Sequence, residues 1–476
     1  MDQLKDFLEI EKKYNLYEEE IEGINYWNYS RFIVWRDEIR KNEYDLSSGE
    51  GKKKKKIGEK IRIALGLLKN SLLHANTTKK NVQVLILNHE RRVLDGKDYI
   101  CKYTETLTDN LEDYVVLEHP YQEKHFQPVR TQNLVYSDRY VIMGNLYAKI
   151  ATKMKTKYYH DIWKQVKATL EKPIAEMENS YHVKLDMDKV VTDIVKRFLM
   201  CKVRKKSYRR FLEKVNPKVI VEVVGYSMDH MIFNELAKER NILTIELQHG
   251  AISDWHCAYR YNTQHIVPQI PDKMLIFGDY WKNFLQLPIK DADIVSIGFP
   301  FFEKNIDKYI KRDNHKKYEI LFLSQRTIGK QLSQFAVECY KQLDLSKYHI
   351  IYKLHPSEYY EWREKYPELK ECQQMEVVDS GEKDLYDYFA EADLQVGVYS
   401  TSVYEGLGFR IPTCIYYLEG SCALQKLCDL GMAGLVKTPE DLQNYIENNQ
   451  KNEIDYSFFW KENAAQNLLN YVKEMC

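Results

Sequence analysis

Apolar runs bounded by polar residues alternate with stretches of helical spacing through the second half of this chain. From residue 319 the order is regular: "EILFLSQ" reads as a strand, "QLSQFAVECYKQL" as a helix, and "HIIYKLHP" and "MEVVDS" as strands. Then come "DLYDYFAEA" (helix), "LQVGVYS" (strand), "TSVYEGLGF" (helix) and "IPTCIYYL" (strand), with helical patterns to the C-terminus. Short apolar runs separated by amphipathic segments are the pattern of a doubly wound α/β domain.

A second alternation begins at residue 217. "PKVIVEVVGY", "MDHMIFNELAKER" and "NILTIELQHG" make a strand–helix–strand unit long enough for a parallel crossover. "DKMLIFGDYW" and "ADIVSIGFP" add two strands, and "VQVLILNH" (82–89) is a strand upstream. Residues 139–215 read as helices rich in Lys and Tyr. Residues 1 to 45 read as helical, with an apolar face of Ile24, Trp27, Phe32 and Trp35. A further helical pattern carries Ile61, Ile63, Leu65 and Leu68. The charged stretch 301–318 reads as a link. The expected organisation is a helical region over 1–80, a Rossmann-like domain with a helical insertion over 81–305, and a second Rossmann-like domain over 306–476.

Length agrees with that division, since 476 residues exceed what one core usually holds. Lys plus Arg and Asp plus Glu both number 70, so no global basic field points to nucleic acid. The start, "MDQLKDFLEIEKKYNLYEEE", is acidic and amphipathic, unlike a secretory signal, and no apolar run reaches the length of a spanning helix. Nine cysteines without a Cys-x-x-Cys pair fit a reduced, cytoplasmic protein. The lysine run Lys52–Lys56 reads as a solvated loop; its functional alternative is contact with anionic lipid at the inner face of the cell membrane.

In open α/β sheets ligands bind outside the carboxyl ends of the strands, so the residues just after each strand carry the functional argument. These are Ser324, Gln325 and Arg326, then His355, Pro356, Ser357 and Glu358, then Ser400, Thr401 and Ser402. Upstream they are Gly225, Tyr226 and Ser227, and Gln248, His249 and Gly250. Two readings of "YSTSVYEGLGF" stand side by side. A helix N-terminus flanked by hydroxyls can cradle a phosphate, with Glu405 one turn on accepting from a ribose diol. Equally, Ser402 and Glu405 have the spacing of a capping box. His355, ending a strand of the same sheet, can donate to a phosphate oxygen. His249, Asp254 and Glu222 are candidates for a general base on an acceptor hydroxyl; a hydrogen-bonded turn histidine is the plain alternative for His249.

"ELQHG", "SQRTIG", "YKLHPSE" and "GVYSTSVYEGL" resemble bacterial GT-B glycosyltransferases of surface-polysaccharide synthesis. The group includes sialyl- and polysialyltransferases, Kdo transferases of capsule assembly and CDP-glycerol glycerophosphotransferases. The likeness runs over about residues 217–440 and is thin before them. It implies a GT-B fold, two Rossmann-like domains facing a cleft, and sugar transfer from a nucleotide-linked donor to a glycan or lipid-linked acceptor. It implies that His355 contacts the donor phosphate, that Ser324, Arg326, Ser400, Thr401 and Ser402 surround it, and that Glu405 holds the ribose. It places His249 at the cleft. It implies a metal-independent mechanism with no cofactor beyond the CMP-, CDP- or UDP-linked donor. UDP-GlcNAc 2-epimerases share this fold but usually have Ser-Gly-Gly where this chain has Ser400, Thr401 and Ser402. The acid-acid-Gly motif from which the sialyltransferases draw their base is not found here.

Overall fold

A computed structural model describes residues 4–40, 65–66, 78–121, 123–306, 308–309, 317–418, 424–448 and 455–476. The chain forms two compact units. The first holds the described residues up to Phe301 together with Asn463–Cys476; the second holds Phe302–Glu462. The last helix, Ala464–Glu474, thus belongs with the first unit, so the second does not run to the C-terminus as the 306–476 division expected. Lys52–Lys56 and most of the pattern around Ile61 and Leu68 lie outside the described residues.

The first unit is built on β1 (Val84–Leu87), β4 (Tyr114–Glu118), β5 (Leu134–Tyr136), β6 (Val219–Val223), β7 (Leu243–Leu247), β8 (Lys273–Ile276) and β9 (Ile294–Ser296). A hairpin of β2 (Val93–Asp95) and β3 (Asp98–Ile100) stands apart from that sheet. The seven strands are parallel, in the order β5-β4-β1-β6-β7-β8-β9. Central strands such as β1 and β6 are buried on both faces, hence their unbroken apolar sequence.

Three long helices form the insertion: Asp138–Met154, Lys157–Tyr181 and Met187–Val215. Thr156 and Asp186 cap the second and third by accepting from Tyr159 N and Lys189 N. Residues 4–40 are not a separate region. Phe7, Trp27 and Trp35 are buried in the core shared with those helices. A buried ion pair joins Arg31 to Glu11 at 2.7 Å, and Glu11 also accepts from Trp27 and Tyr17. All the charge and lone pairs there are satisfied locally, which is the condition for burying them.

The second unit carries β10 (Tyr318–Leu323), β11 (Tyr348–Lys353), β12 (Glu376–Val378), β13 (Leu394–Gly397), β14 (Thr413–Tyr416) and β15 (Gly434–Val436). Its order, β12-β11-β10-β13-β14-β15, is likewise all parallel. Counted within each unit, both sheets run 3-2-1-4-5-6, with one extra edge strand in the first (β2 and β3 set aside). This is the mononucleotide-binding order, and it puts a topological switch point between β1 and β6 in one unit and between β10 and β13 in the other.

Candidate functional site

In the first unit the switch point is lined by buried titratable groups. Glu222 and Glu246 are cross-strand neighbours on β6 and β7, so two carboxylates share one face of the sheet. Both are buried, and burial holds each well above the usual carboxylate range, with Glu246 adding repulsion at Glu222. After β6 the chain turns sharply: Val224 has φ +66°, a left-handed conformation that a β-branched residue rarely adopts. Gly225 follows where a Cβ would lie 2.5 Å from Glu246 Oε2 and 2.6 Å from Glu222 Oε1, so only glycine fits.

This turn presents Tyr226 to His249. The Tyr226 hydroxyl lies 3.2 Å from His249 Nε2, and the Tyr259 hydroxyl lies 3.3 Å from Nδ1. Tyr259 donates to Glu246 Oε1 at 2.7 Å, so its oxygen is left to accept from His249 Nδ1–H. That chain fixes the tautomer: Nδ1 holds the proton and Nε2 carries the lone pair. Tyr103 anchors the backbone by donating to the His249 carbonyl. Burial, and after it His256 and His89, drive the His249 pKa down to about 3, so the ring is neutral at physiological pH. His256 and His89 are themselves pulled down to about 4, mainly by burial.

The structure places the three candidate bases differently, with His249 set between the Tyr226 and Tyr259 hydroxyls. Glu222 is fully buried, with Oε1 accepting from Asn234 Nδ2 at 2.8 Å, and its raised pKa keeps it protonated. It is a structural acid below the turn and is not placed to take a proton from a substrate. Asp254 is exposed, in a loop where its carbonyl accepts from Arg260 at 2.9 Å. The sequence offered a signal for Glu246 that went unread: a carboxylate at the fourth position of each of two neighbouring apolar strands, "VIVEV" and "LTIEL".

In the second unit, fixed donors line the switch point. Ser400 is the N-cap of the helix Thr401–Gly408, its hydroxyl accepting from Ser402 N at 3.2 Å. The cap therefore sits two residues earlier than the Ser402/Glu405 capping box would put it. Thr401 is exposed and Ser402 partly so, in the first turn of the helix. The helix is pinned by Gln395 of β13, whose Nε2 donates to Val403 O and Thr413 Oγ1, both at 2.8 Å. A Cβ on Gly406 would lie 2.1 Å from the same side chain. Glu405 faces the hydroxyl of Tyr386, whose own pKa is raised by burial and then by the Glu405 carboxylate.

His355 caps a short turn, Pro356–Glu358. Ser357 N donates to His355 Nδ1 at 3.2 Å, so the ring's proton is on Nε2. Glu358, one of the polar residues after this strand to which the sequence assigns no role, turns out to organise the turn. It is buried, accepting from His355 N at 2.8 Å, from Tyr366 OH at 2.8 Å and from Ser324 Oγ at 3.1 Å. It ties the end of β10 to the end of β11. Its signal was legible as the spacing His355-Pro-Ser-Glu358, which is a capping box. Ser324 is used up in this knot: it is buried and also accepts from Tyr352 OH at 3.1 Å. Ser324 therefore holds loops together and does not present its hydroxyl to a ligand. Arg326 lies 3.5 Å from Glu361, with its side chain 22% exposed.

Among the described residues, no cluster of His, Cys, Asp and Glu has the geometry to hold a metal, and no helix is long and apolar enough to cross a membrane.

No protein-family model and no curated protein sequence matches the chain. Among solved structures, the UDP-GlcNAc 2-epimerase of Methanocaldococcus jannaschii is similar at a TM-score of 0.50 with 11% identity, covering 82% of this chain and 99% of that one. The wall teichoic acid polymerase TagF (TM-score 0.40, 11% identity, 88% and 98% covered) and MurG of Acinetobacter baumannii (0.41, 15%, 58% and 80%) are more distant. Likeness at this level concerns the fold: two Rossmann-like units of the GT-B kind.

Proposed function

We propose that the protein is a metal-independent GT-B glycosyltransferase that moves a sugar from a nucleotide-linked donor to a glycan or lipid-linked acceptor in bacterial surface-polysaccharide synthesis. The observation that carries this reading is that the His355 Nε2–H donor and a Ser-capped helix N-terminus both lie at the carboxyl edge of one parallel sheet of Rossmann order.

The chemistry follows from the groups present. The acceptor oxygen attacks the anomeric carbon, and the bond from that carbon to the donor phosphate breaks. His249 Nε2 takes the acceptor's proton, and the Glu246–Tyr259 chain holds Nδ1–H so that Nε2 keeps the lone pair that accepts it. The leaving phosphate gains charge, which His355 Nε2–H, the first-turn N–H groups and the Thr401 and Ser402 hydroxyls stabilise. Glu405, oriented by Tyr386, accepts from the ribose diol. Arg326 adds a cation on the same edge.

The test is a thermal-shift panel of CMP, CDP, UDP, GDP and UMP on the wild type, His355→Ala and Glu405→Ala. A site filled at 100 times its Kd adds about 2.7 kcal/mol. One nucleotide is expected to stabilise the wild type and to lose its effect in both variants. Its identity then selects the donor: CMP for sialyl or Kdo transfer, CDP for an alditol phosphate, UDP for a hexose. Incubating the matching UDP-sugar without acceptor separates transfer from 2-epimerisation, since an epimerase needs no acceptor. No shift with any nucleotide would overturn the reading.

A further inference from the structure

The first unit contains a cavity of about 420 Å³ between the N-terminal segment, the helix Met187–Val215 and the turn after β6. That volume is in the range of small-molecule sites, about 300–1,000 Å³. Four arginines line it: Arg31, Arg36, Arg197 and Arg204. Three have carboxylate partners. Arg31 pairs with Glu11, Arg36 with Asp37, and Arg204 with Asp229 at 2.8 Å. Arg197 differs. Its Nε donates to Tyr29 O at 2.8 Å, and its other guanidinium nitrogens have no hydrogen-bond or ion-pair partner among the described residues. Burial and the neighbouring Arg204 lower its pKa to about 10, the response of a cation short of countercharge. The cavity therefore holds one positive charge in excess.

Aromatic and apolar side chains, Phe32, Tyr226 and Met231 among them, make much of the rest, with Asn28, Asn145 and Ser227 between them. Arg36, 37% exposed, carries the lining out to solvent. An aromatic wall suits the C–H face of a sugar ring, and a guanidinium fork suits a planar carboxylate or a phosphate. Tyr226 belongs to both places: it lines the cavity, and its hydroxyl contacts His249 Nε2.

We propose that this cavity binds a small sugar carrying one anionic group, a phosphate or a carboxylate, through Arg197. That the bound sugar is part of the acceptor rests on the transferase reading above; binding itself does not. Occupancy would press on Tyr226 and so couple the ligand to His249.

The test is calorimetric titration of the full chain, without nucleotide, with glucose 6-phosphate, glucuronate and neutral glucose. One of the two anions is expected to bind and glucose is not; which anion binds identifies the charged group. Arg197→Gln is expected to weaken binding about tenfold or more, Arg197→Lys to retain part of it, and Arg36→Gln to weaken it less. Melting of ligand-free Arg197→Gln should match or exceed the wild type, because a crowded cation is removed. Should Arg197→Gln fail to fold, the anion-against-glucose comparison and Arg36→Gln still decide. Heat from neither anion, glucose binding as well as the anions, or undiminished binding by Arg197→Gln would overturn the proposal. Because no nucleotide is present, failure here leaves the donor-site test standing, and the reverse also holds.

Discussion

At the first unit's switch point lie His249, His256 and His89, with pKa values driven down to about 3, 4 and 4, and below them two carboxyl groups driven up. At the second unit's switch point, in a sheet of the same order, lie a Ser cap, a His whose Nδ1 is tied to its own turn, and a buried Glu that knots two loops. One edge is tuned for where protons reside. The other is tuned for where N–H and O–H groups point. The same strand order thus carries two different sets of polar groups, and the difference lies in what is buried beneath each loop. The first has a buried carboxyl pair within β6 and β7; in the second, β13 beneath the Ser400 cap carries Gln395, which cannot ionise.

The largest expected effect tests the proton side directly. His249→Ala should lower kcat about a hundredfold or more with a smaller change in donor KM, and added imidazole should restore part of the rate. A variant that keeps full turnover would remove the contrast, leaving the first edge as packing alone. His355→Ala should differ in kind, losing affinity for the nucleotide.

Next in size is the knot in the second unit. Glu358→Ala leaves Tyr366, Ser324 and the His355 amide without their acceptor, and buried unsatisfied groups cost about 1–3 kcal/mol each. Chemical denaturation should show a loss of about 3 kcal/mol or more. Hydrogen exchange should locate it in the loops after β10 and β11. Glu358→Gln, which can still accept, should recover much of it. Loss spread evenly over both units would contradict this local role.

Much of this arrangement is readable in the chain, and the unreadable part has a physical cause. The strands β6, β7, β10, β11 and β13 announce themselves as apolar runs with polar ends, so the switch-point residues can be named from sequence. β5 and β15 are three residues each, too short to show a period, and β15 is only partly buried. Function assignments fail where burial decides. Glu222 and Ser324 look like accessible polar residues near strand ends; only three-dimensional packing shows one protonated under a turn and the other locked between Tyr352 and Glu358. The cap at Ser400 was displaced by two residues from the sequence pattern because Ser402 N, the first-turn donor, finds the earlier hydroxyl.

The contrast also has a pH signature. His256 stacks on Phe32 and has a buried Nδ1 with no hydrogen-bond partner. Its pKa in the folded protein, about 4, is below the unfolded value, so unfolding takes up a proton as pH falls from about 6.5 towards 4, and stability is lost over that window. His256→Phe keeps the ring stack and removes the titrating group. It should add stability on the order of 2–3 kcal/mol at pH 4 and much less at pH 8. The buried carboxyl pair works oppositely: with raised pKa values it contributes most at low pH and loses that contribution as pH rises. Glu246→Gln should flatten the alkaline limb. A parallel shift of the whole curve in either variant would show that packing, and not protonation, was altered.

The smallest effect gives the sharpest discrimination between capping and ligand binding at the second edge. Ser400→Ala removes the hydroxyl that accepts from Ser402 N and should cost about 1 kcal/mol of stability, whereas Ser400→Gly should cost a few tenths. Thr401 is exposed and caps nothing, so Thr401→Ala should change stability by no more than about 0.5 kcal/mol. If the hydroxyls serve only the helix, nucleotide affinity should follow stability and Thr401→Ala should bind normally. If they cradle a phosphate, Thr401→Ala should weaken nucleotide binding several-fold at unchanged stability. The two scales, melting temperature and Kd, then separate for a single truncation that removes one exposed hydroxyl, and that separation is what a helix cap alone cannot produce.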